Sequence, residues 1–262
     1  MSRAAGGAPC CTLGQRCDTK DDVIDPLLKR LRMRDDVSDA EERTLREAIR
    51  ERRTLQAGEV AVREGEQLNV SILLLSGFMA RYKDLQDGSR QIIELNVPGD
   101  FVDLHGFTLK RLDHNIAAMT ACQIGLVTHE ALKRIAEDHP HLTRLLWFMT
   151  NVDAAIHREW VLSLGRRTAQ HRMAHLLCEL HARLKAVGAV EADCTFSMSI
   201  RQVDLADCLG LTAVHVNRVL HELRERGLVE MQRGQIIVTN PPALRQLANF
   251  DDSYLYLERH PA

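Results

Sequence analysis

Two stripes of residues between Gln202 and Leu223 carry the clearest chemistry in the sequence. Val214, Asn217, Arg218 and His221 recur at helical spacing and so share one face of a helix. An arginine offers a planar fork that fits the two acceptors of guanine. An asparagine can bond adenine twice, and a valine can pack on a thymine methyl. Thr212 is a good N-cap for this helix, and with His215 in the first turn it completes the candidate base-reading set. The alternative is a merely solvated face. The second stripe, Val216, Val219, Leu220 and Leu223, is apolar and predicts burial.

Other segments must position that helix. Upstream, Val203, Leu205, Ala206 and Leu209 fit one short helix, Gly210 permits a tight turn and Leu211 plugs its corner. Downstream, Leu228–Val238, broken at Arg233-Gly234, reads as a β-ribbon wing. A helix over roughly Thr168–Val187 buries Met173, Leu176, Leu177, Leu180 and Leu184, with Gly188 as its C-cap.

Before it, Leu142, Leu145, Met149, Val152 and Ile156 fall at alternating spacings of three and four until Gly165. That seam predicts a dimerisation helix packed on its copy in a second chain, with burial against its own chain competing for part of the face. From Leu55 to Val127, turn signals at Gly58, Gly65, Ser76-Gly77, Asp87-Gly88 and Pro98-Gly99 separate short apolar runs, the pattern of an antiparallel sandwich. The capping-box spacing Ser38–Glu41 opens a helix expected over Asp39–Arg52, and Glu130–Glu137 reads as another. The expected division is an arm at 1–37, mobile in solution, a sensor at 38–138, a dimerisation helix at 139–166, a winged helix-turn-helix at 167–249 and a tail at 250–262.

The 262 residues suit two domains. Hydrophobic content of 45% and charged content of 27% exclude a disordered chain, and 4% aromatics disfavours a stacking platform for single-stranded RNA. A net charge of −2 excludes a globally basic coat protein but not a local basic face. Apolar stretches such as Ile72–Leu75 are strand-sized and far short of a membrane span, so no membrane partner is expected. Met1–Cys11 lacks an apolar signal core, which predicts a cytoplasmic protein with its seven cysteines as thiols. Neither a Gly-rich phosphate loop nor a nucleophile motif occurs, so no enzyme is predicted. His105, His114 and His129 lack metal-ligand spacing and read as core or solvated side chains.

Pro98-Gly99-Asp100-Phe101, Thr120-Ala121-Cys122, Leu209-Gly210-Leu211-Thr212 and Val216-Asn217-Arg218-Val219-Leu220 together resemble the CRP/FNR (catabolite-activator/fumarate-nitrate-reduction) family of bacterial transcription regulators. The resemblance spans roughly Leu55–Ala248. It implies an α+β fold: a cyclic-nucleotide-binding-like jelly-roll β-sandwich, a long dimerisation helix and a C-terminal winged helix-turn-helix. It implies a homodimer on a two-fold double-stranded DNA operator, RNA polymerase as a further partner, and Arg218 as the reader of a guanine. The glutamate many members place four residues before that arginine is Val214 here.

Nucleotide-binding members use a Gly-Glu-Leu loop and an Arg-Ser pair. The matching segments here are Asp103-Leu104-His105-Gly106-Phe107 and Arg111-Leu112-Asp113-His114-Asn115. Both elements are missing, and Asp103 and Asp113 would each repel a phosphate by ~1–4 kcal/mol at surface-like dielectrics. Cyclic AMP is therefore not the expected effector, and Asp103, His105, Gly106 and Arg111 are the effector-loop candidates. Fumarate-nitrate-reduction-like members hold an iron–sulfur cluster, for which Cys10, Cys11, Cys17 and Cys122 are the matching candidates. Adjacent Cys10 and Cys11 point apart, which favours a thiol arm and a core Cys122 with no metal. Two rival functions remain: an iron–sulfur or other redox- or gas-sensing regulator of this family, and a DNA-free dimeric small-ligand-binding protein.

Overall fold

A computed structural model describes residues 24–260. Cys10, Cys11 and Cys17 lie outside them. The described chain opens on helix α1 (Asp25–Arg34), where a mobile arm was expected. Pro26 sits in its first turn, and Leu27, Leu28 and Leu31 are buried beside Leu45, Phe101, Leu142 and Leu145. Three leucines among charged neighbours are a short signal, but they find a ready apolar surface.

Helix α2 (Asp39–Ala48) starts at the expected capping box. The Ser38 N–H donates to Glu41 at 2.9 Å, and Ser38 Oγ accepts from the Glu41 N–H at 3.3 Å. It stops at Ala48 rather than Arg52, because the next residues enter strand β1 (Ile49–Leu55). That strand pairs with β7 (Cys122–Thr128) through its backbone and leaves the side chains of Arg50–Thr54 exposed. Its polar sequence therefore carries little strand signal.

Two antiparallel sheets form the sandwich. One has the order β1–β7–β3, with β3 at Val70–Ser76. The other runs β2 (Val60–Val62), β6 (Asn115–Ala118), β4 (Met79–Asp84), β5 (Arg90–Asn96). Leu74, Met79, Ile116 and Ile124 are among the residues packed between them. Gly77, at φ +85°, has no alternative in its turn: a Cβ there would lie 2.5 Å from the Ala121 carbonyl oxygen and 2.8 Å from Cys122 Sγ.

A short helix α3 (Gly106–Leu109) interrupts the sandwich, and α4 (His129–Asp138) follows it. At His139-Pro140 the chain breaks into α5 (Pro140–Arg166). The expected intermolecular seam on α5 is corrected here. Leu142, Leu145, Met149, Val152 and Ile156 are all buried within their own chain, the first three beside α1 and the last two beside the sandwich and α6 (Ala169–Ala186). An apolar stripe declares that it will be covered, not by which chain. The surface α5 leaves open is the next one round, Trp147, Asn151, Ala154, Arg158 and Val161, with Trp147 68% and Val161 72% exposed.

The C-terminal part contains α7 (Gln202–Leu209), α8 (Ala213–Glu225), α9 (Pro241–Ala248) and a three-stranded wing of order β8–β10–β9. Strands β9 (Glu230–Gln232) and β10 (Gln235–Ile237) are the expected ribbon, turning on Arg233 and Gly234, both with positive φ. The third strand, β8 (Thr195–Ser197), is too short to register in the sequence. The tail packs rather than trails: Phe250 and Leu255 are buried, and the Tyr254 hydroxyl donates to Glu179 at 2.8 Å. Phe78, Ile92 and Leu95 of the sandwich share one continuous core with Leu180 of α6, Leu209 of α7 and Leu223 of α8.

Candidate nucleic-acid interface and sensor interior

The turn between α7 and α8 is built as its residues require. Gly210 adopts φ +61°, the Leu211 N–H donates to the Ala206 carbonyl at 3.0 Å, and Thr212 Oγ1 accepts from the His215 N–H at 3.2 Å. Val216, Val219, Leu220 and Leu223 are buried. Thr212, Val214, Asn217, Arg218 and His221 are exposed, Val214 by 80%, and His215 is half-buried. Arg218 Nη2 lies 2.9 Å from His215 Nε2, a contact that steadies the guanidinium across one helical turn. The predicted reading stripe is therefore one continuous exposed face at the N-terminal half of α8. Val203 does not join the buried side of α7 and is 47% exposed. Asp204, wholly buried, faces inward beside Leu205, Ala206 and Leu209.

Asp204 marks a junction that sequence reading missed. It accepts from Arg201 at 2.8 and 2.9 Å and from Arg90 Nη2 at 2.6 Å, while the same Arg90 donates to Asp207 at 2.7 Å. Arg90 belongs to β5, and its guanidinium also lies over the Tyr82 ring at 5.2 Å. Gln91 Nε2 donates to the Asp207 carbonyl at 2.7 Å. The first helix of the helix-turn-helix is thus held against the sensor sheet by three adjoining polar contacts.

The sensor interior is a buried ionic cluster. Arg81 of β4 lies directly opposite Glu94 of β5 and donates to it at 2.7 Å. It also donates to Asp153 of α5 at 2.9 Å and to the carbonyls of Val102 and Phe101. Arg183 of α6 donates to Asp100 at 2.7 Å and to Glu179 at 3.1 Å, and Arg30 of α1 pairs with Asp100 as well. Three guanidiniums, from Arg30, Arg81 and Arg183, pair with the carboxyls of Glu94, Asp100, Asp153 and Glu179, and the Asp103 carboxyl lies within reach of the Arg81 charge without pairing to it. Burial alone would raise Glu94, but the Arg81 charge overrides it and holds the carboxyl at about 2. Acids outnumber these cations, and burial pushes Asp153 and Glu179 upward.

Asp103 is wholly buried. Its Oδ1 accepts the Ile72 N–H at 2.6 Å and its Oδ2 has no hydrogen-bond partner. Burial pushes this carboxyl up to about 7, with the Ile72 bond and Arg81 offsetting only part of the effect. His105 is held neutral by burial, its pKa lowered to about 3, and its ring lies 5.4 Å from that of His114. Gly106 is buried at the start of α3, whereas Arg111 is exposed. Of the four effector-loop candidates, Asp103 and Gly106 share one turn, the Gly106 N–H donating to the Asp103 carbonyl at 2.7 Å, while Arg111 faces solvent. Arg81, a wholly buried cation of the sensor, is already committed to Glu94 and Asp153.

Cys122 does not suit a cluster ligand. Its Sγ lies 3.0 Å from the Phe78 carbonyl and 3.2 Å from the Thr120 carbonyl, so its one S–H can donate to either, and burial pushes its pKa up. Among the described residues no group of three or more His, Cys, Asp or Glu side chains could hold a metal ion.

A β-sandwich joined by a long helix to a winged helix-turn-helix is the architecture of a DNA-binding regulator. Comparison with known proteins agrees. A family profile for the Crp-like helix-turn-helix domain matches residues 171–247, and one for the cyclic nucleotide-binding domain matches residues 52–139. The chain is 30% identical over 220 residues to the transcriptional activator protein FnrL of Cereibacter sphaeroides, covering 82% of this chain and 87% of that one. It is 30% identical over 197 residues to the nitrogen fixation regulation protein FixK of Bradyrhizobium diazoefficiens, covering 73% and 79%. The solved structure of FixK2 from Bradyrhizobium japonicum superposes with a TM-score of 0.68 at 27% identity, covering 75% of this chain and 96% of that one. The chain belongs to the CRP/FNR family and is a DNA-binding transcription regulator.

Proposed function

We propose that the protein acts as a homodimer that places one α8 in each of two successive major grooves of a two-fold operator, with half-sites ~34 Å apart. The observation that carries this reading is the exposed face of Thr212, Val214, Asn217, Arg218 and His221, with half-buried His215 bracing Arg218, on a firmly seated helix. Arg218 reads a guanine, and Asn217 and Val214 face the neighbouring base pairs. The dimer contact is the open stripe of α5 from Trp147 to Val161. Residues 38–138, together with α1, sense the signal; α5 joins the two chains; residues 167–249 read DNA. Relatives named as transcriptional activators support recruitment of RNA polymerase as the output. Among the described residues no helix is long and apolar enough to cross a membrane, in keeping with work in the cytoplasm.

The test is an electrophoretic shift screen against genomic fragments, followed by footprinting of the bound sequence. Arg218→Ala is expected to cost ~1–3 kcal/mol and to relax preference at one guanine per half-site. Raising salt is expected to weaken binding steeply as phosphate contacts release counterions. Unchanged affinity and preference in Arg218→Ala would remove that residue from the reading set.

A further inference from the structure

A cavity of about 480 Å³ opens where α6, α9, the C-terminal segment and α1 meet. It lies apart from both the reading face of α8 and the sensor interior. Its floor is one face of α6, where Cys178, His181, Ala182, Lys185 and Ala186 recur at spacings of three and one. Three of the five are small, so this face leaves room where the adjoining face, with Leu176, Leu177, Leu180 and Leu184, fills the core. Leu244 of α9, Leu257 of the C-terminal segment and Met33 of α1 supply apolar walls. The volume lies within the range of small-molecule sites.

The polar groups are few and point to one charge type. Arg245 on the rim is already matched, donating twice to Asp252 at 3.0 and 3.1 Å, so that pair contributes no net charge. Lys185 has no ion-pair partner among the described residues and is the remaining cation. His181 Nε2 is buried without a hydrogen-bond partner. Burial, helped by Lys185, lowers the His181 pKa, so the ring stays neutral and keeps one N–H to donate. An unmatched cation beside an unpartnered buried ring nitrogen, at the edge of an apolar chamber, suits a ligand with one negative end and an apolar body.

We propose that this cavity binds an amphipathic monoanion, a medium-chain or aromatic carboxylate whose head meets Lys185 and His181 and whose body lies against Leu244, Leu257 and Met33. A phosphate dianion fits poorly, because only one cation is unmatched and the walls are apolar. Bound there, the ligand bridges α1, which packs on the sensor, and α6 and α9 of the reading domain.

Calorimetric titration of the full chain with octanoate, and with uncharged octanamide as control, tests the proposal. One octanoate per chain is expected, with octanamide about tenfold weaker for want of the charge-assisted contact. Lys185→Gln is expected to remove that tenfold preference and leave octanamide binding unchanged. Ala182→Leu, which fills the floor, is expected to abolish binding of both, with circular dichroism confirming the fold. Absence of saturable octanoate heat, or equal octanoate affinity in Lys185→Gln and the parent, would overturn the proposal. If Ala182→Leu fails to fold, the octanoate-to-octanamide ratio in Lys185→Gln decides alone.

Discussion

Asp103→Asn should flatten the pH dependence of stability in a way that isolates one buried proton. In the folded chain the Asp103 carboxyl titrates at about 7, its burial opposing ionisation. Once unfolded, it returns to the ordinary aspartate value near ~3.9. Between those values the folded state holds a proton that the unfolded state has released, so stability falls as pH rises through the window and levels off above it. The full gap of about three units corresponds to roughly 4 kcal/mol. Between pH 5.5 and 8 about half of that, roughly 2 kcal/mol, is lost. Asparagine keeps the Oδ1 acceptor for the Ile72 N–H and cannot ionise. Denaturant unfolding of both proteins, at one protein concentration and at pH 5.5, 6.5, 7.5 and 8, provides the readout. Taking the difference between parent and variant cancels the other titrating groups. Parallel stability-versus-pH curves would refute a protonated Asp103 in the sensor.

Three further outcomes follow from other parts of the molecule. Arg90→Ala removes one of two arginines from the wholly buried Asp204 and both of its own hydrogen bonds to Asp207, and should cost ~1–3 kcal/mol in denaturant unfolding; a neutral result would mean the sensor–reader junction is not stabilising. Trp147→Glu combined with Val161→Glu should shift sedimentation from dimer to monomer, because charges replace the two most exposed apolar side chains of the α5 stripe; a persistent dimer would place the contact elsewhere. Cyclic AMP should give no micromolar calorimetric signal, since Arg81 is already committed to Glu94 and Asp153 and Arg111 faces solvent; tight binding would show that the ionic cluster can open.

How far the sequence reached depended on whether a feature was local. The helix-turn-helix was legible because its signals, the Gly210 turn, the Thr212 cap and the Val216–Leu223 stripe, lie within a few residues of one another and share one period. The strands of the sandwich were legible from their turns. Helix α2 ran short of expectation because β1 is an exposed, charged strand whose pairing is carried by backbone rather than by an apolar pattern. Helix α1 was missed because three leucines gain their meaning only from α5 and Phe101, far along the chain. The α5 seam was found and its partner mistaken, since periodicity does not say which surface answers it. Arg81 was overlooked for the same reason: its role needs the register of β4 against β5. Counting out from the Asp87-Gly88 turn would have set Arg81 opposite Ile93, because a bulge between Arg81 and Tyr82 shifts the register by one residue.

The continuous core from Phe78 and Ile92 through Leu180 to Leu209 and Leu223 bears on how the molecule comes apart. Two separate cores would melt in two steps, and the reading domain could be cut free as a stable fragment. With this cluster shared between one sensor sheet and the reading domain, severing the chain after α5 strips Leu180, Leu209 and Leu223 of neighbours they need, so sensor and reader are expected to unfold as one cooperative unit. Any small molecule that binds only the folded sensor then raises the melting temperature of the helix-turn-helix along with its own site, by mass action.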